Sequence, residues 1–197
     1  MLLFIYSATI LITIPAATAD PDKNGSIPVM IDVPQTTFQM GRSANIKGES
    51  DELPRHTVHL RAHQIGKYEI TNAQYVAVLN WAKDKGYLET NPLSRLTGRT
   101  DENIYHAGRL LKVINKNSQI ILENGRYTPI MREGLFMDNH PVADVTWSGA
   151  VVYANWLSEI QQLTPCYNLK TFKRIAPTPN GYRLPTEAEW EHAAGTS

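Results

Sequence analysis

One short segment, GYRLPTEAEWEHAAG at residues 181–195, constrains the fold of this chain more than any other. Thr186 and Glu189 stand three residues apart, the spacing of a capping box in which each side chain bonds the other residue's backbone amide. Acidic residues in the first turn suit the helix dipole, and Gly195 supplies a stop. The segment therefore predicts a helix that begins after Thr186 and ends before Gly195.

The charged side chains of this segment invite a catalytic interpretation, and their spacing argues against it. Glu187 and Glu191 share one helix face, whereas Glu189 lies away from them. Capping explains Glu189, and solvent exposure explains the other two glutamates. Arg183 is expected to pair with a carboxylate in the core, which is a structural role. No catalytic residue is predicted here.

Two more helices and two strands are predicted upstream, the first strand over residues 31–40. Thr71 and Gln74 form a second capping box, and the helix that they begin ends at Gly86. A third helix is predicted from Thr146 to about residue 163. Regular alternation predicts one half-buried strand over residues 56–68. The expected buried positions are Tyr75, Val78, Leu79 and Ala82 in the earlier helix, Ala150, Tyr153, Ala154, Leu157 and Ile160 in the later one, and the tryptophans Trp81, Trp147, Trp156 and Trp190.

Residues 88–134 are interpreted as a polar insertion between these two helices. The insertion contains short strand-like runs at 110–114 and 120–122. Asn124-Gly125 between short apolar runs is a strong signal for a two-residue hairpin turn. The insertion is therefore expected to form a small excursion of β-hairpins.

Composition limits the class of protein. The 197 residues are enough for one domain with a hydrophobic core. Nineteen basic residues balance nineteen acidic ones, so the charge favours neither nucleic acid nor an anionic membrane as a partner. Twelve glycines and twelve prolines favour a loop-rich α+β protein over a helical bundle.

Residues 1–19 are typical of a secretory signal peptide. An apolar run at 2–14 is followed by Pro15 and by Ala17-Thr18-Ala19, which has the small-x-small pattern of a cleavage site. The run is shorter than the about 20 apolar residues of a membrane span, so no stable span is expected after cleavage. An uncleaved anchor is the alternative, because no Lys or Arg precedes the run. Residues 20–34 are interpreted as a linker, and the chain as secreted or periplasmic.

Cysteine and histidine give no site by themselves. Cys166 is the only cysteine, so no disulfide can form within the chain. We expect it to be a small buried residue, and pairing with a cysteine outside this sequence stays open. His56, His59 and His63 are not expected to share a metal, because in one strand His59 and His63 would lie about 13 Å apart with His56 on the other face.

Four ordered motifs resemble the sulfatase-modifying factor family, whose founding activity is that of the formylglycine-generating enzyme. They are FQMG at 38–41 with ELPRHTVHL at 52–60, YEITNAQY at 68–75, HPV at 140–142 with VTW at 145–147, and RLPTEAEWE at 183–191. The resemblance covers residues 34–197, and the insertion with LTPCYNL at 163–169 is similar to a secreted bacterial branch. It implies an irregular α+β fold of the C-type lectin-like kind, with residues 35–197 as the N-terminal portion of one such domain.

The same resemblance implies a chemistry. In that family a sulfatase cysteine is oxidised to formylglycine with oxygen and a copper ion held by two cysteines, and thiolates suit monovalent copper. The family's cysteine pair and calcium ligands lie downstream of the motif at 182–195. We therefore expect a sequence that is incomplete at its C-terminus, and assign it no catalytic, cofactor-binding or metal-binding residue.

The expected function is that of a fragment of a formylglycine-generating-enzyme-like protein, an oxidoreductase only as a whole. Its expected partner is a sulfatase polypeptide or another envelope protein. Because fold does not fix function, a non-catalytic secreted module that binds glycans or proteins is the alternative. A sulfoxide synthase of the ergothioneine type fits less well, because only a short linker precedes Phe38. We also expect exposed helix faces and marginal stability.

Overall fold

The computed structural model describes residues 11–15, 27–89, 103–115 and 117–195. Within these ranges the chain forms three α-helices and a set of short antiparallel strands. The helices are α1 (Asn72–Asp84), α2 (Trp147–Ile160) and α3 (Glu187–Ala193), and Ser50–Glu52 form one 3₁₀ turn. The strands are β1 (Thr13–Pro15), β2 (Met30–Val33), β3 (Thr36–Met40), β4 (His56–Leu60), β5 (His63–Gly66), β6 (Ile104–His106), β7 (Arg109–Lys112), β8 (Ile120–Glu123), β9 (Arg126–Pro129), β10 (Met131–Arg132), β11 (Leu135–Phe136), β12 (Tyr167–Asn168) and β13 (Lys173–Arg174).

The strands do not form one large sheet. A three-stranded sheet has the order β1-β5-β2, and the remaining strands form the two-stranded pairs β3-β4, β6-β7, β8-β9, β10-β11 and β12-β13. Helices and small sheets together give the irregular α+β fold that the sequence predicts. No helix in the described ranges is long and apolar enough to cross a membrane.

Both predicted capping boxes are present. The Thr71 hydroxyl accepts from the Gln74 amide at 3.3 Å, and the Thr71 amide donates to Gln74 Oε1 at 3.0 Å. The corresponding distances for Thr186 and Glu189 are 3.2 and 2.8 Å. Thr146 caps α2 by accepting from the Gly149 amide at 3.0 Å. Because these signals act within one helical turn, the sequence located all three helix starts.

The core is built around α2. Residues 149–158 are all buried, and Tyr153 stacks on Tyr75 of α1 with ring centroids 5.3 Å apart. The expectation that the helices expose apolar faces is therefore wrong for residues 149–158 of α2. The large exposed apolar side chains of the described residues lie instead mainly in strands, loops and the hairpins, among them Ile121, Leu122, Met131, Leu135 and Phe136. Marginal stability stays a prediction.

Two of the four tryptophans are not in the core, contrary to prediction. Trp156 is buried and Trp81 is half-buried, but Trp147 and Trp190 are each 56% exposed. Trp147 is the first residue of α2 and Trp190 lies on the outer face of α3. The position of an aromatic residue within a helix does not fix its burial, because burial depends on which elements cover that face.

Residues 56–68 form two strands and not the single strand predicted. β4 pairs with β3, and β5 pairs with β1 and β2 in another sheet. Arg61 and Ala62 lie between them and are exposed. His59 is accordingly exposed on β4 while His63 is 2% exposed on β5, so the expectation that these two histidines share one face of one strand is wrong.

The predicted insertion contributes to the core. Asn124 and Gly125 have φ values of 47° and 77° and join β8 to β9, which confirms the hairpin. Ile104, Leu111 and Ile120 are at most 1% exposed, so these hairpins are part of the domain interior. Residues 90–102 and 116 of the insertion lie outside the described residues.

The predicted leader and linker each contain a strand. β1 lies within residues 1–19 and β2 lies within residues 20–34, and both pair with β5. Residues 1–10 and 16–26 lie outside the described residues.

Candidate functional site

The short helix α3 separates two groups of polar side chains, one interior and one exposed. Arg183 and Glu189 form the centre of the interior group through two parallel hydrogen bonds of 2.6 Å each. The side chains of Arg183 and Glu189 are 8% and 9% exposed. The predicted pairing of Arg183 with a core carboxylate is thereby confirmed, and its partner is the capping glutamate itself.

Glu189 is held in its ionised form by these bonds. Burial alone raises the pKa of its carboxyl, but hydrogen bonds from Arg183 and Thr186 and the charge of Arg183 outweigh burial and lower that pKa from 4.5 to about 2. A carboxylate with so low a pKa carries no proton near neutral pH and is a poor general base. Glu189 therefore has a structural role, as the capping box predicts.

Cys166 lies in the same interior region and is fully buried. Its Sγ donates to the Gly181 carbonyl at 3.2 Å, and burial raises the pKa of the thiol. The prediction of a buried cysteine is confirmed. A thiolate is the form that reacts and binds soft metals, and this environment disfavours it.

His63 is the fourth interior polar group. Its Nδ1 lies 2.9 Å from the Arg61 carbonyl, which can only accept, so Nδ1 carries the hydrogen. Its Nε2 is buried and has no hydrogen-bond partner among the described residues. We refer to His63, Cys166, Arg183 and Glu189 as the interior cluster.

On its outer face α3 borders an open cleft of about 660 Å³, which we call the acidic cleft. The cleft is negatively charged, because four glutamates and one arginine line it. The lining residues are Met40, Gly41, Arg42, Glu49, Glu52, Leu53, Pro54, His56, Glu187, Trp190 and Glu191. Exposed carboxylates beside an exposed indole can bind a cationic group by ion pairing and cation–π contact.

The turn after β3 gives the acidic cleft its shape. The Gly41 amide donates to Glu191 Oε1 at 2.8 Å, and Arg42 pairs with Glu52 at 2.6 Å. Gly41 has φ +86°, and a Cβ there would lie 2.6 Å from the Glu52 carbonyl oxygen. Only glycine therefore fits this turn. The turn positions Arg42 beside the glutamates.

Sequence reasoning missed two features. The acidic cleft combines residues 40–56 with residues 187–191. The only part of it that the sequence predicted is that Glu187 and Glu191 share one helix face. Lys112 is 1% exposed and donates from Nζ to the Ala143 carbonyl at 2.6 Å. Burial lowers the pKa of Lys112 from 10.5 to about 8, against an opposing effect of Asp144.

The described residues do not fit a copper site of two thiolates. The chain has one cysteine, and its thiol is hydrogen-bonded to backbone in the interior. In the described part of the chain no three His, Cys, Asp or Glu side chains are grouped as metal ligands.

Comparison with known proteins gives consistent matches. The family model of the sulfatase-modifying factor enzyme 1-like domain matches residues 15–197. The formylglycine-generating enzyme of Streptomyces coelicolor is 28% identical over 200 aligned positions, covering 91% of this chain and 52% of that enzyme. The serine/threonine-protein kinase pkn1 of Chlamydia pneumoniae is 29% identical over 153 positions, covering 76% of this chain and 17% of the kinase.

A solved structure supports the fold. The crystal structure of CarF superposes with a TM-score of 0.54 at 24% identity, covering 87% of this chain and 57% of CarF. The chain thus spans about half the length of the Streptomyces enzyme and a smaller part of the kinase.

Proposed function

Since the chain belongs to the family of the sulfatase-modifying factor enzyme 1-like domain, we propose that it forms the framework of a formylglycine-generating-enzyme-like protein. In this proposal the chain builds and orients the domain, and the residues that oxidise a cysteine are not among those of this sequence. The family match and the similarity to the Streptomyces enzyme support the first part.

The observation that carries the second part is the environment of Cys166. Oxidation of a cysteine at a copper ion held by two thiolates needs two cysteines, and this chain has one. Its thiol is buried with a raised pKa and donates to a backbone carbonyl. A buried, protonated thiol neither attacks a substrate nor binds copper readily.

The interior cluster supports the framework role. Arg183 joins the start of α3 to the chain segment before it through the bidentate bonds to Glu189. The Cys166 thiol donates to the Gly181 carbonyl two residues before Arg183. The Tyr182 amide donates to Ser158 Oγ of α2 at 2.8 Å. These groups join the segment before α3 to α2 and leave the Cys166 thiol and the Arg183–Glu189 pair buried.

An aldehyde assay tests the proposal. The purified chain is incubated with monovalent copper, oxygen and a peptide bearing a sulfatase-type cysteine, and aldehyde is measured with a hydrazide probe and by peptide mass. We expect no aldehyde above the level of the peptide alone, and full conversion by the Streptomyces coelicolor enzyme in parallel. Aldehyde produced by the chain and lost in Cys166→Ser would contradict the proposal.

A second candidate function, a binding module, rests on the acidic cleft. Trp190 is exposed there between Glu187 and Glu191 on one helix face. We propose that this cleft is suited to a lysine- or arginine-bearing segment of an exported protein partner. Anisotropy of labelled peptides tests it, with a Lys-rich peptide expected to bind in a salt-dependent way and a Glu-rich peptide of equal length expected not to bind.

The matched variants separate specific from general attraction. Glu187→Gln and Trp190→Leu are expected to weaken binding of the Lys-rich peptide. Asp84→Asn is expected to leave that binding unchanged, because Asp84 forms an exposed ion pair with Arg126 outside the cleft. Equal effects of Asp84→Asn and Glu187→Gln would show attraction to overall charge and rule the module out. Export itself is tested by fractionating cells that express the chain, where a product confined to the cytoplasm would contradict it.

A further inference from the structure

Strand β1 lies in a slot between β5 and the backbone of Arg183. The Thr13 amide donates to the Arg183 carbonyl at 2.7 Å, and the Arg183 amide donates to the Thr13 carbonyl at 2.8 Å. On the other side the Gly66 amide donates to the Ile12 carbonyl at 2.9 Å, and Thr13 lies opposite Ile65. We call this position, bounded by β5 and Arg183, the strand slot.

The side chains in the strand slot are completely enclosed. Ile12 and Ile14 are both 0% exposed and belong to the hydrophobic core. Thr13 points to the opposite face and is also 0% exposed. Burying both isoleucines removes apolar surface from water and stabilises the occupied slot. The slot therefore fits an extended segment with a branched aliphatic residue at alternate positions and a small residue between them.

An empty strand slot would leave strong hydrogen-bonding groups without partners. The amide and carbonyl of Arg183 bond Thr13 of β1, and the amide of Gly66 bonds the carbonyl of Ile12, the residue before β1. Each of these groups, left buried and unpaired, would lose its hydrogen bond without regaining one to water, which is unfavourable. The exposed groups would also adjoin the buried Arg183–Glu189 pair. The geometry of the slot thus favours occupation by a strand.

The residues that fill the strand slot lie within the predicted leader. Cleavage after Ala19 would detach Leu11 to Pro15 from the rest of the chain. We propose that the strand slot is a strand-acceptor site, which in the form without residues 1–19 binds an extended segment of another polypeptide. That segment would run antiparallel to β5 and carry aliphatic residues in the places of Ile12 and Ile14. Backbone bonds supply affinity and the alternate side chains supply selectivity.

The experiment starts from the folded full chain. A recognition sequence for a site-specific protease replaces residues 21–26, and the chain is folded and then cleaved. The probe is a fluorescein-labelled peptide with the sequence of residues 9–17. Its matched control carries Ile12→Asp and Ile14→Asp, which keep the length and backbone and remove the fit.

We expect the cleaved N-terminal piece to co-elute with the remainder at one copy per chain. Excess probe should then replace it at one copy per chain, and the control peptide should replace none. The uncleaved chain should bind the probe at least about tenfold more weakly, because its tethered segment competes at a high effective concentration.

Two results would overturn the proposal. In one, the N-terminal piece elutes separately, the probe does not bind, and the Arg183 and Gly66 amides of the remainder stay protected from hydrogen exchange. In the other, the remainder forms a dimer that protects these amides and excludes the probe, which would assign the slot to a second copy of the chain.

A second variant covers loss of solubility after cleavage. In the uncleaved chain, Ile14→Asp should expose the Arg183 and Gly66 amides to hydrogen exchange, and added probe should restore their protection. Ile31→Asp on β2 is the matched control, because Ile31 is 44% exposed and its change should leave both amides protected. Failure of the probe to restore protection in Ile14→Asp would contradict a strand-acceptor site.

Discussion

The two faces of α3 carry the same kind of side chain in opposite environments. Glu189 is 7% exposed and accepts bonds from Arg183 and Thr186, whereas Glu187 is exposed and, with Glu191, lines the acidic cleft. The glutamate with the strongly lowered pKa is the one with a structural role. A perturbed pKa therefore marks burial and pairing in this molecule, and the groups available to a partner are those with open access.

The largest expected effect comes from breaking the interior pair. Arg183→Met leaves the Glu189 carboxylate buried without its partner, and we expect the free energy of unfolding at pH 7 to fall by about 3–5 kcal/mol. Arg126→Met removes an exposed pair with Asp84 and should cost less than about 1 kcal/mol. Urea unfolding measures both. Similar losses in the two variants would remove the contrast between interior and surface pairs.

The next effect is the acid sensitivity of Glu189. Its pKa is about 2 in the folded chain, below the ordinary value of 4.5, so the stabilisation is present above pH 4.5 and is lost as the pH falls toward 2. The full loss amounts to about 3 kcal/mol. Urea unfolding between pH 6 and pH 2.5 should show this decline in the native sequence and in Glu187→Gln, but a shallower one in Glu189→Gln. A decline of unchanged steepness in Glu189→Gln would assign it to other carboxyls.

Lys112 extends the contrast to a buried cation. Its folded pKa of about 8 lies below the ordinary 10.5, so between these values the folded chain binds fewer protons than the unfolded chain. Stability should therefore rise from pH 8 to pH 10, by about 2–3 kcal/mol. Burial raises the pKa of the Cys166 thiol above its ordinary 9.0, which opposes part of this rise from about pH 9. Burial also raises the pKa of Tyr75 and Tyr153, which opposes the rise above pH 10.

Two variants of Lys112 check that assignment. Lys112→Met should abolish the rise and be more stable than the native sequence at pH 7, because no charge is buried. Lys112→Arg keeps its charge throughout and should lack the rise while being less stable. A rise that persists in both variants would mean that Lys112 is not its source.

The smallest stability effect is expected on the cleft face. Glu187→Gln should change the free energy of unfolding by no more than about 0.5 kcal/mol, even though the same variant should weaken binding of a cationic peptide to the cleft. Thermal unfolding beside peptide anisotropy measures the two quantities in one preparation. A stability loss comparable to that of Glu189→Gln would place Glu187 in the framework.

What the sequence predicted well depends on neighbours along the chain. The capping boxes at Thr71 and Thr186 and the Asn124-Gly125 hairpin use signals within four residues, and all three are present. The resemblance of four motifs to a known family predicted the fold class as well. The pairing of Arg183 was predicted in kind, but Glu189 was identified as its partner only by the structure.

What the sequence did not predict depends on contacts between distant residues. Alternation runs through residues 61–62 without showing that β4 and β5 join different sheets. The exposure of Trp147 and Trp190 follows from what covers each helix face. The acidic cleft needs Gly41 beside Glu191, which are 150 positions apart, and no local pattern encodes that approach.

The reactivity of Cys166 in the native chain tests the framework role most directly. Labelling by a thiol reagent is followed in native buffer and in denaturant, with and without monovalent copper. We expect native labelling to be far slower than labelling in denaturant and unaffected by copper, because the thiol is buried and bonded to Gly181. Rapid native labelling that stoichiometric copper suppresses would show an accessible metal-binding thiolate and contradict a framework without its own oxidation chemistry.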